Sequence, residues 1–211
     1  MNELWLFKSS QTILGKKSIY FNLFGDYSYL QEGYYKSVDF YIKGLVVHPT
    51  PEEALDAYII AITLEKAKKA NINVPDYFIA TAKTPNNYYP LLGYSMNPFS
   101  NNSFMIEDEK SYIKHLKSLT LTDKYFAVFQ KLPKEEYRLD TIRCILGKTT
   151  IPEYNSFAEN IFKVFKIPLM KIKVIVTSDT YLLSSIEPLP YNALSINEKK
   201  LLEKMGKWER K

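Results

Sequence analysis

Two histidines, one cysteine and a scatter of carboxylates are what this chain of 211 residues offers for chemistry. His48 and His115 stand far apart and lack the spacing of metal ligands, so each reads as a surface or loop residue. Cys144 is the sole cysteine, which excludes an intramolecular disulfide and a cysteine-cluster metal site. The densest basic run, Lys66, Lys68 and Lys69, has Glu65 beside it and reads as a solvated helix face. The formal charge of +5 is therefore not gathered into the stripe of cations and aromatics that tracks a phosphate backbone, and nucleic acid is not the expected partner. No apolar run reaches the roughly 18 residues that span a bilayer, and the opening MNELWLFKSS is too short an apolar stretch for a signal peptide. A cytoplasmic, reduced setting is the simplest expectation.

Positioning such side chains falls to elements that alternate along the chain. Glu3 to Lys8 reads as a short buried strand, and the aromatic-rich Ser18 to Tyr41 as two strands flanking a turn at Gly25-Asp26. Lys43 to Val47 is another strand. Thr50-Pro51-Glu52-Glu53 then starts a helix that runs to about Ala70: Thr50 caps it, Pro51 suits its first position and the acids favour its positive end. Asn71 stops it. Strands follow at Tyr77 to Ala82, Tyr89 to Tyr94 and Tyr125 to Leu132, with a loop at Asn97 to Asn102 and a helix from Asp108 to Leu119. Tyr137 to Leu146 is a strand with a partner at Thr149 to Ile151. Phe157 to Phe165 is a helix, Lys171 to Val176 and Tyr181 to Glu187 are a hairpin, and Ile196 to Met205 is a last helix. The order is α+β, with hairpins and helices laid on one side.

The wording of the segments goes further. VVHPTPEEALDAYIIAITLEKAKKANINVPDYFIA resembles the entry to the ATP-grasp ligases, with Leu64, Ala67, Asn71, Ile72, Val74 and Pro75 in the expected places. YYPLLGYSMNPFSNNSFMIEDEKSYIKHLKSL is similar to the next segment of that family. YFAVFQKLPKEEYRLDTIRCILG is similar to its interlobe hinge, and AENIFKVFKIPLMKIKVIVTSDTYLLSSIEPLP to its final hairpin. The blocks keep the family's order over residues 44–190, and their wording is nearest to RimK-type carboxylate–amine ligases. The resemblance implies ATP held by lysines and hinge backbone, magnesium held by Asp, Glu and Asn, and an acylphosphate intermediate opened by an amine.

Residue by residue, the sequence departs from that pattern. The phosphate lysine falls at Tyr94, and an Asp-Lys pair of the preceding helix falls near Tyr58 to Ile60, where neither occurs. The Gly-rich cover is replaced by Asn97-Pro98-Phe99-Ser100-Asn101-Asn102, which cannot easily turn several N–H groups onto one phosphate. The metal-binding Asp falls at Lys173 and the Glu at Ser185, which leaves Glu187 as the one candidate metal ligand, too little for magnesium. What survives is the hinge Phe129-Gln130-Lys131-Leu132, either an adenine-reading backbone or a strand end, and Arg138, either a ligand contact or a partner for Glu135, Glu136 or Asp140.

These readings imply a two-lobed ATP-grasp-like α+β fold, with a shortened aromatic segment at 1–45, a first lobe at 46–132 and a second at 133–211. The expected nucleotide contacts are Phe129, Gln130, Lys131, Leu132, Arg138 and the altered Tyr94; no catalytic residue is assigned. The expected function is a non-catalytic, degenerate ATP-grasp-like protein binding a nucleotide such as ATP without magnesium, a small ligand or a protein partner. A working RimK-type ligase with altered or partner-supplied groups, and a basic nucleic-acid module, remain the alternatives. With 17 Tyr and 12 Phe, the chain also suggests self-association through its aromatic N-terminal segment.

Overall fold

The computed structural model describes residues 5–7, 13–16, 19–96, 103–205 and 207–208. Three short strands come first, β1 (Trp5–Phe7), β2 (Ile13–Lys16) and β3 (Ile19–Asn22), then α1 (Glu32–Ile42) and β4 (Val46–His48). Two helices follow, α2 (Pro51–Tyr58) and α3 (Ile60–Lys69). The middle of the chain holds β5 (Tyr77–Ala80), β6 (Leu91–Ser95), β7 (Ser103–Ile106), α4 (Glu109–Leu119) and β8 (Ala127–Lys131). The last third holds β9 (Arg138–Ile145), α5 (Asn155–Phe165), β10 (Leu169–Val176), β11 (Tyr181–Pro188), α6 (Ile196–Met205) and β12 (Lys207–Trp208). The class is α+β. Among the described residues, no helix is long and apolar enough to cross a membrane.

The chain divides into two compact units. The first comprises residues 1–57, 141–172 and 186–211; the second comprises 58–140 and 173–185. A three-stranded sheet in the order β11-β10-β9 contributes residues to both.

The first unit holds a five-stranded sheet in the order β12-β1-β2-β3-β4. Its core gathers Leu23, Ile145, Leu169, Leu189, Leu194 and Leu202, with Phe21 and Phe162 against them. The stretch expected as two aromatic strands is one strand, β3, followed by a loop and the helix α1. Small residues explain the difference: the buried Asn22 amide donates to Gly33 O (2.8 Å) and Ser37 Oγ (3.0 Å), one helical turn apart. Those short residues define the buried face of α1, while Tyr35 and Tyr41 stand exposed, so aromatic β-propensity yields to packing. Gly25 does turn the chain, with φ +81 and Leu189 O only 1.9 Å from where a Cβ would lie.

The single helix expected from Pro51 to Ala70 is two. Thr50 caps the helix as expected, and Glu53 makes the cap reciprocal: Thr50 Oγ1 accepts from Glu53 N (3.1 Å) and Glu53 Oε2 from Thr50 N (2.8 Å). His48, on β4 rather than in a loop, places Nδ1 2.7 Å from the same carboxylate. Ile59 then adopts extended geometry (φ −91, ψ 100) and α3 starts afresh. Ala54 and Ala57 are buried in the first unit, and Ile60, Leu64 and Ala67 in the second, so the apolar spacing runs unbroken through the interruption and hides it. Asn71 ends α3 in the left-handed region (φ +58), with Ile72 N reaching Ala67 O (2.9 Å) and Asn71 N reaching Lys68 O (3.0 Å). The partner strand expected at Thr149 to Ile151 is a single bridge, Ile145 to Lys148, because Asn155 Oδ1 takes Thr149 N and Pro152 opens a helical turn.

In the second unit, the sheet order is β5-β8-β6-β7, with antiparallel pairing throughout. One face carries Leu91, Phe129, Tyr112, Leu116 and Leu119 under α4; the other carries Leu92, Tyr94, Val128 and Leu132, with Ile60 and Leu64 of α3 and Ile175 of β10. Gly93 opposes Phe129 because a Cβ there would lie 2.8 Å from the ring. Asp108 caps α4 by accepting from Ser111 N at 2.7 Å.

A bidentate clamp fastens α6 to β9 in the first unit. Arg143 Nε and Nη2 donate to the Glu198 carboxylate at 2.5 and 2.9 Å, and Arg143 Nη2 also donates to Ala193 O at 2.6 Å. Burial alone would raise the Glu198 pKa, but hydrogen bonds from Arg143 and Ser195 outweigh it and hold the carboxyl below its ordinary value. A depressed folded-state pKa stabilises the fold above the unfolded value of about 4.3, and that contribution disappears as pH falls through the lower folded value. Glu198→Gln should therefore cost about 2 kcal/mol near neutral pH, in the manner of a broken, mostly buried ion pair. Urea titrations should show the gap to the wild-type protein closing as pH drops below about 4.

Candidate functional site

Strand alternation puts Leu92 and Tyr94 of β6 and Val128 and Gln130 of β8 on one face of the second unit's sheet. Against that face, β11 presents Ser184 and Ser185. Gln130 and Ser184 are fully buried, Ser185 is 2% exposed and Tyr94 is 5% exposed, so each polar group must be satisfied internally. Ser184 Oγ donates to Gln130 Oε1 (2.6 Å), and Gln130 Nε2 donates back to Ser184 O (2.7 Å). That uses the Ser184 proton, so across the 2.8 Å contact Tyr94 donates to Ser184 Oγ. Ser185 Oγ lies 3.5 Å from the same tyrosine oxygen. The network is neutral and directional.

One charge stands beside it. Lys173, on β10, places Nζ 5.8 Å from the centre of the Tyr94 ring and donates to Ser103 Oγ of β7 at 3.0 Å. The positions that the resemblance gave to a phosphate lysine and two metal-binding acids, Tyr94, Lys173 and Ser185, are thus brought together in one unit. Among the described residues, no group of three His, Cys, Asp or Glu is placed to hold a metal ion.

The hinge residues divide between the two faces. Phe129 is buried on the α4 side, stacked on Phe78 at 5.4 Å and against Tyr112 at 5.0 Å. Gln130 enters the network through its side chain. Lys131 N donates to Asp76 O (2.7 Å), and its ammonium lies 5.5 Å above the Tyr88 ring. Leu132 N donates to Pro90 O (3.1 Å) and Leu132 O accepts from Tyr88 OH (2.7 Å). Arg138 is exposed and donates to Asp140 Oδ2 at 2.8 Å, at the edge of a shallow cavity of about 230 Å³ with Tyr137, Val176 and Ser178. Glu187 is half-buried on β11 and belongs to the first unit. The loop Asn97 to Asn102 lies outside the described residues.

Ser184 and Ser103 carry contacts that the sequence reading did not assign. A signal existed for the first: two consecutive serines inside the apolar run of β11 are poorly suited to a strand buried from Leu183 to Ile186 unless polar partners await them. Removing the donor that closes the network tests its worth. Tyr94→Phe should destabilise the protein by about 1 kcal/mol, the net value of one buried hydrogen bond. Gln130→Leu should cost more, since it strips Ser184 of partners for both its hydroxyl proton and its carbonyl; urea midpoints at constant slope would measure both.

Residues 102–205 match the RimK-like ATPgrasp N-terminal domain family. No curated protein sequence matches the chain. Among solved structures, D-alanine–D-alanine ligase from Helicobacter pylori is similar at a TM-score of 0.58 and 15% identity, over 81% of this chain and 67% of that one. D-alanine–D-alanine ligase from Bacillus anthracis complexed with ATP follows at 0.59 and 14%, over 80% and 67%. A RimK domain protein ATP-grasp from Sphaerobacter thermophilus stands at 0.58 and 14%, over 81% and 73%. Residues 102–205 are thus similar to a RimK-like family, and the chain has the ATP-grasp fold.

Proposed function

We propose that this protein is a non-catalytic ATP-grasp relative, a binding protein that does not transfer phosphoryl groups. The observation that carries the reading is the set of side chains in the second unit: the hydroxyls of Tyr94, Ser103, Ser184 and Ser185, the Gln130 amide and the Lys173 ammonium, with Tyr94 and Gln130 both bonded to Ser184. Magnesium does not fit these residues. It demands several oxygen ligands in near-octahedral geometry, usually including carboxylates, and the group at hand supplies neutral oxygens beside a cation.

The hinge supports the same reading. In a related ligase ATP is bound, as the Bacillus anthracis complex records. In this chain, Lys131 N–H, Leu132 N–H and Leu132 C=O already have partners at Asp76, Pro90 and Tyr88. An adenine that read this backbone would have to displace hydrogen bonds that hold β5 and the Tyr88 turn to β8. Base recognition is therefore not the source of affinity in this proposal.

Phosphoryl transfer needs charge stabilisation that grows toward the transition state, from metal and cations held around the γ-phosphate. The neutral network supplies none. Incubation with ATP, magnesium and a mixture of carboxylic and amino acids should release no phosphate above the blank. Tyr94→Lys should not restore release, because it returns one cation and no metal ligand. Steady, protein-dependent ADP formation by either form would overturn the reading.

A further inference from the structure

The second unit's sheet ends at β5, and no strand lies beyond it among the described residues. The ladder fixes which main-chain groups face that open side. Lys131 N donates to Asp76 O, which makes those two a bonded pair of the antiparallel ladder. Bonded and unbonded pairs alternate, so Phe78 and Ala80 turn their N–H and C=O groups toward β8, and Tyr77 and Ile79 turn theirs outward. The other side of β8 keeps the same alternation: Leu132 N donates to Pro90 O, so even-numbered residues there serve β6 and odd-numbered ones serve β5. Open edges are commonly guarded by a charge, a proline or a bulge. The strand Tyr-Phe-Ile-Ala has none of these: its register is one-to-one, and Ile79 is 50% exposed.

We propose that this edge is the contact for a second copy of the chain, with β5 pairing antiparallel to its counterpart about a two-fold axis at Phe78. Centred there, Tyr77 of each copy meets Ile79 of the other, and the outward N–H and C=O groups of both residues are satisfied. A register centred on Tyr77 would set Ile79 against Pro75, which has no N–H, and one centred on Ile79 would set Tyr77 against Thr81, beyond the strand. A groove of about 520 Å³ borders β5, lined by Tyr77, Ile79 and Asp76, by Glu65 and Lys68 of α3, and by Lys131. Its charges are two acids, Glu65 and Asp76, and two cations, Lys68 and Lys131, so two copies meet here without the net repulsion that a chain of charge +5 brings elsewhere. Tyr77 and Ile79 point to the same face of the sheet, so the exposed Ile79 of one copy covers Tyr77 and the groove of the other. The contact is small, and the dimer it makes depends on concentration. The inference goes beyond the non-catalytic reading and does not depend on it.

Sedimentation equilibrium tests it. Between about 10 μM and about 1 mM, the average molar mass of the wild-type protein should rise from one chain toward two. Ile79→Lys should hold the protein monomeric, because it brings an ammonium into the contact. Ile79→Pro should do the same by removing an outward N–H, while the ladder to β8 stays whole; urea midpoints check that both variants are folded. The register is read with cysteines. Tyr77→Cys mixed with Ile79→Cys should form a covalent heterodimer on oxidation, and neither variant alone should cross-link, since only residues 77 and 79 come opposite one another. Cys144 is buried and takes no part. Tyr35→Ser combined with Tyr41→Ser, which removes exposed aromatics of α1, should leave the association intact. A mass that stays at one chain up to about 1 mM overturns the inference. Association that survives Ile79→Lys, or that is lost with Tyr35 and Tyr41, overturns it too, as does a mixture of the cysteine variants that fails to cross-link.

Discussion

A polar side chain taken out of water has to find its partners inside the protein, and in the second unit that demand falls on Tyr94, Ser184 and Gln130. Because each bond in the set uses a specific proton, the three residues fix more than their own positions. Tyr94 sits opposite Val128 and Gln130 opposite Leu92, so both side chains share a face only in the observed register of β6 on β8. A slip of β8 by one residue would turn Gln130 to the α4 side and carry Phe129 into the face of the network, parting Gln130 from Tyr94. The hydrogen bonds therefore enforce the register that also builds the two apolar clusters.

Those clusters explain why the scaffold tolerates a site without carboxylates. Phe129, Phe78, Tyr112, Leu116 and Leu119 pack on the face away from the network, and Leu64, Val128, Leu132 and Ile175 surround it on the near face. Apolar burial of this extent is the dominant favourable term in folding. A neutral network adds order without the desolvation cost that buried, unpaired carboxylates would bring, so the fold has no physical need of a metal to hold these strands together. Cys144 illustrates the same economy in the first unit: it is fully buried, its thiol is pushed up to about 12 by that burial, and it behaves as a small apolar filler.

Much of the architecture was legible in the residues, because local chemistry and tertiary packing agreed there. Thr50 with Glu53, Asp108 at α4, Asn71 after α3 and the turn between β10 and β11 all announce themselves by residue type and spacing. Where the sequence misled, local and tertiary preferences were opposed. The aromatic run before residue 42 has the composition of strands, yet α1 is selected by Gly33 and Ser37, the two residues small enough to lie against Asn22. The break at Ile59 left no trace in the apolar period, since each helix buries its own part of one continuous stripe. At the site, the resemblance pointed to Tyr94, Lys173 and Ser185 as losses. What it could not supply is the bonding between them, because no motif names Ser184 and its partner Gln130, read only as hinge, lies 54 positions away.

The difference between binding and catalysis at this site follows from when charge is met. A fixed ammonium attracts an oxyanion about equally before and during any reaction of that anion, which lowers the free energy of the bound state and the transition state together. Acceleration requires donors and metals that gain more as negative charge builds on the atoms in transfer. Tyr94 cannot turn to meet such charge without abandoning Ser184, and Gln130 cannot without leaving both the hydroxyl and the carbonyl of Ser184 unpaired in a dry interior. One ammonium beside a neutral network brings no such gain, so the geometry of these residues argues against phosphoryl transfer among them.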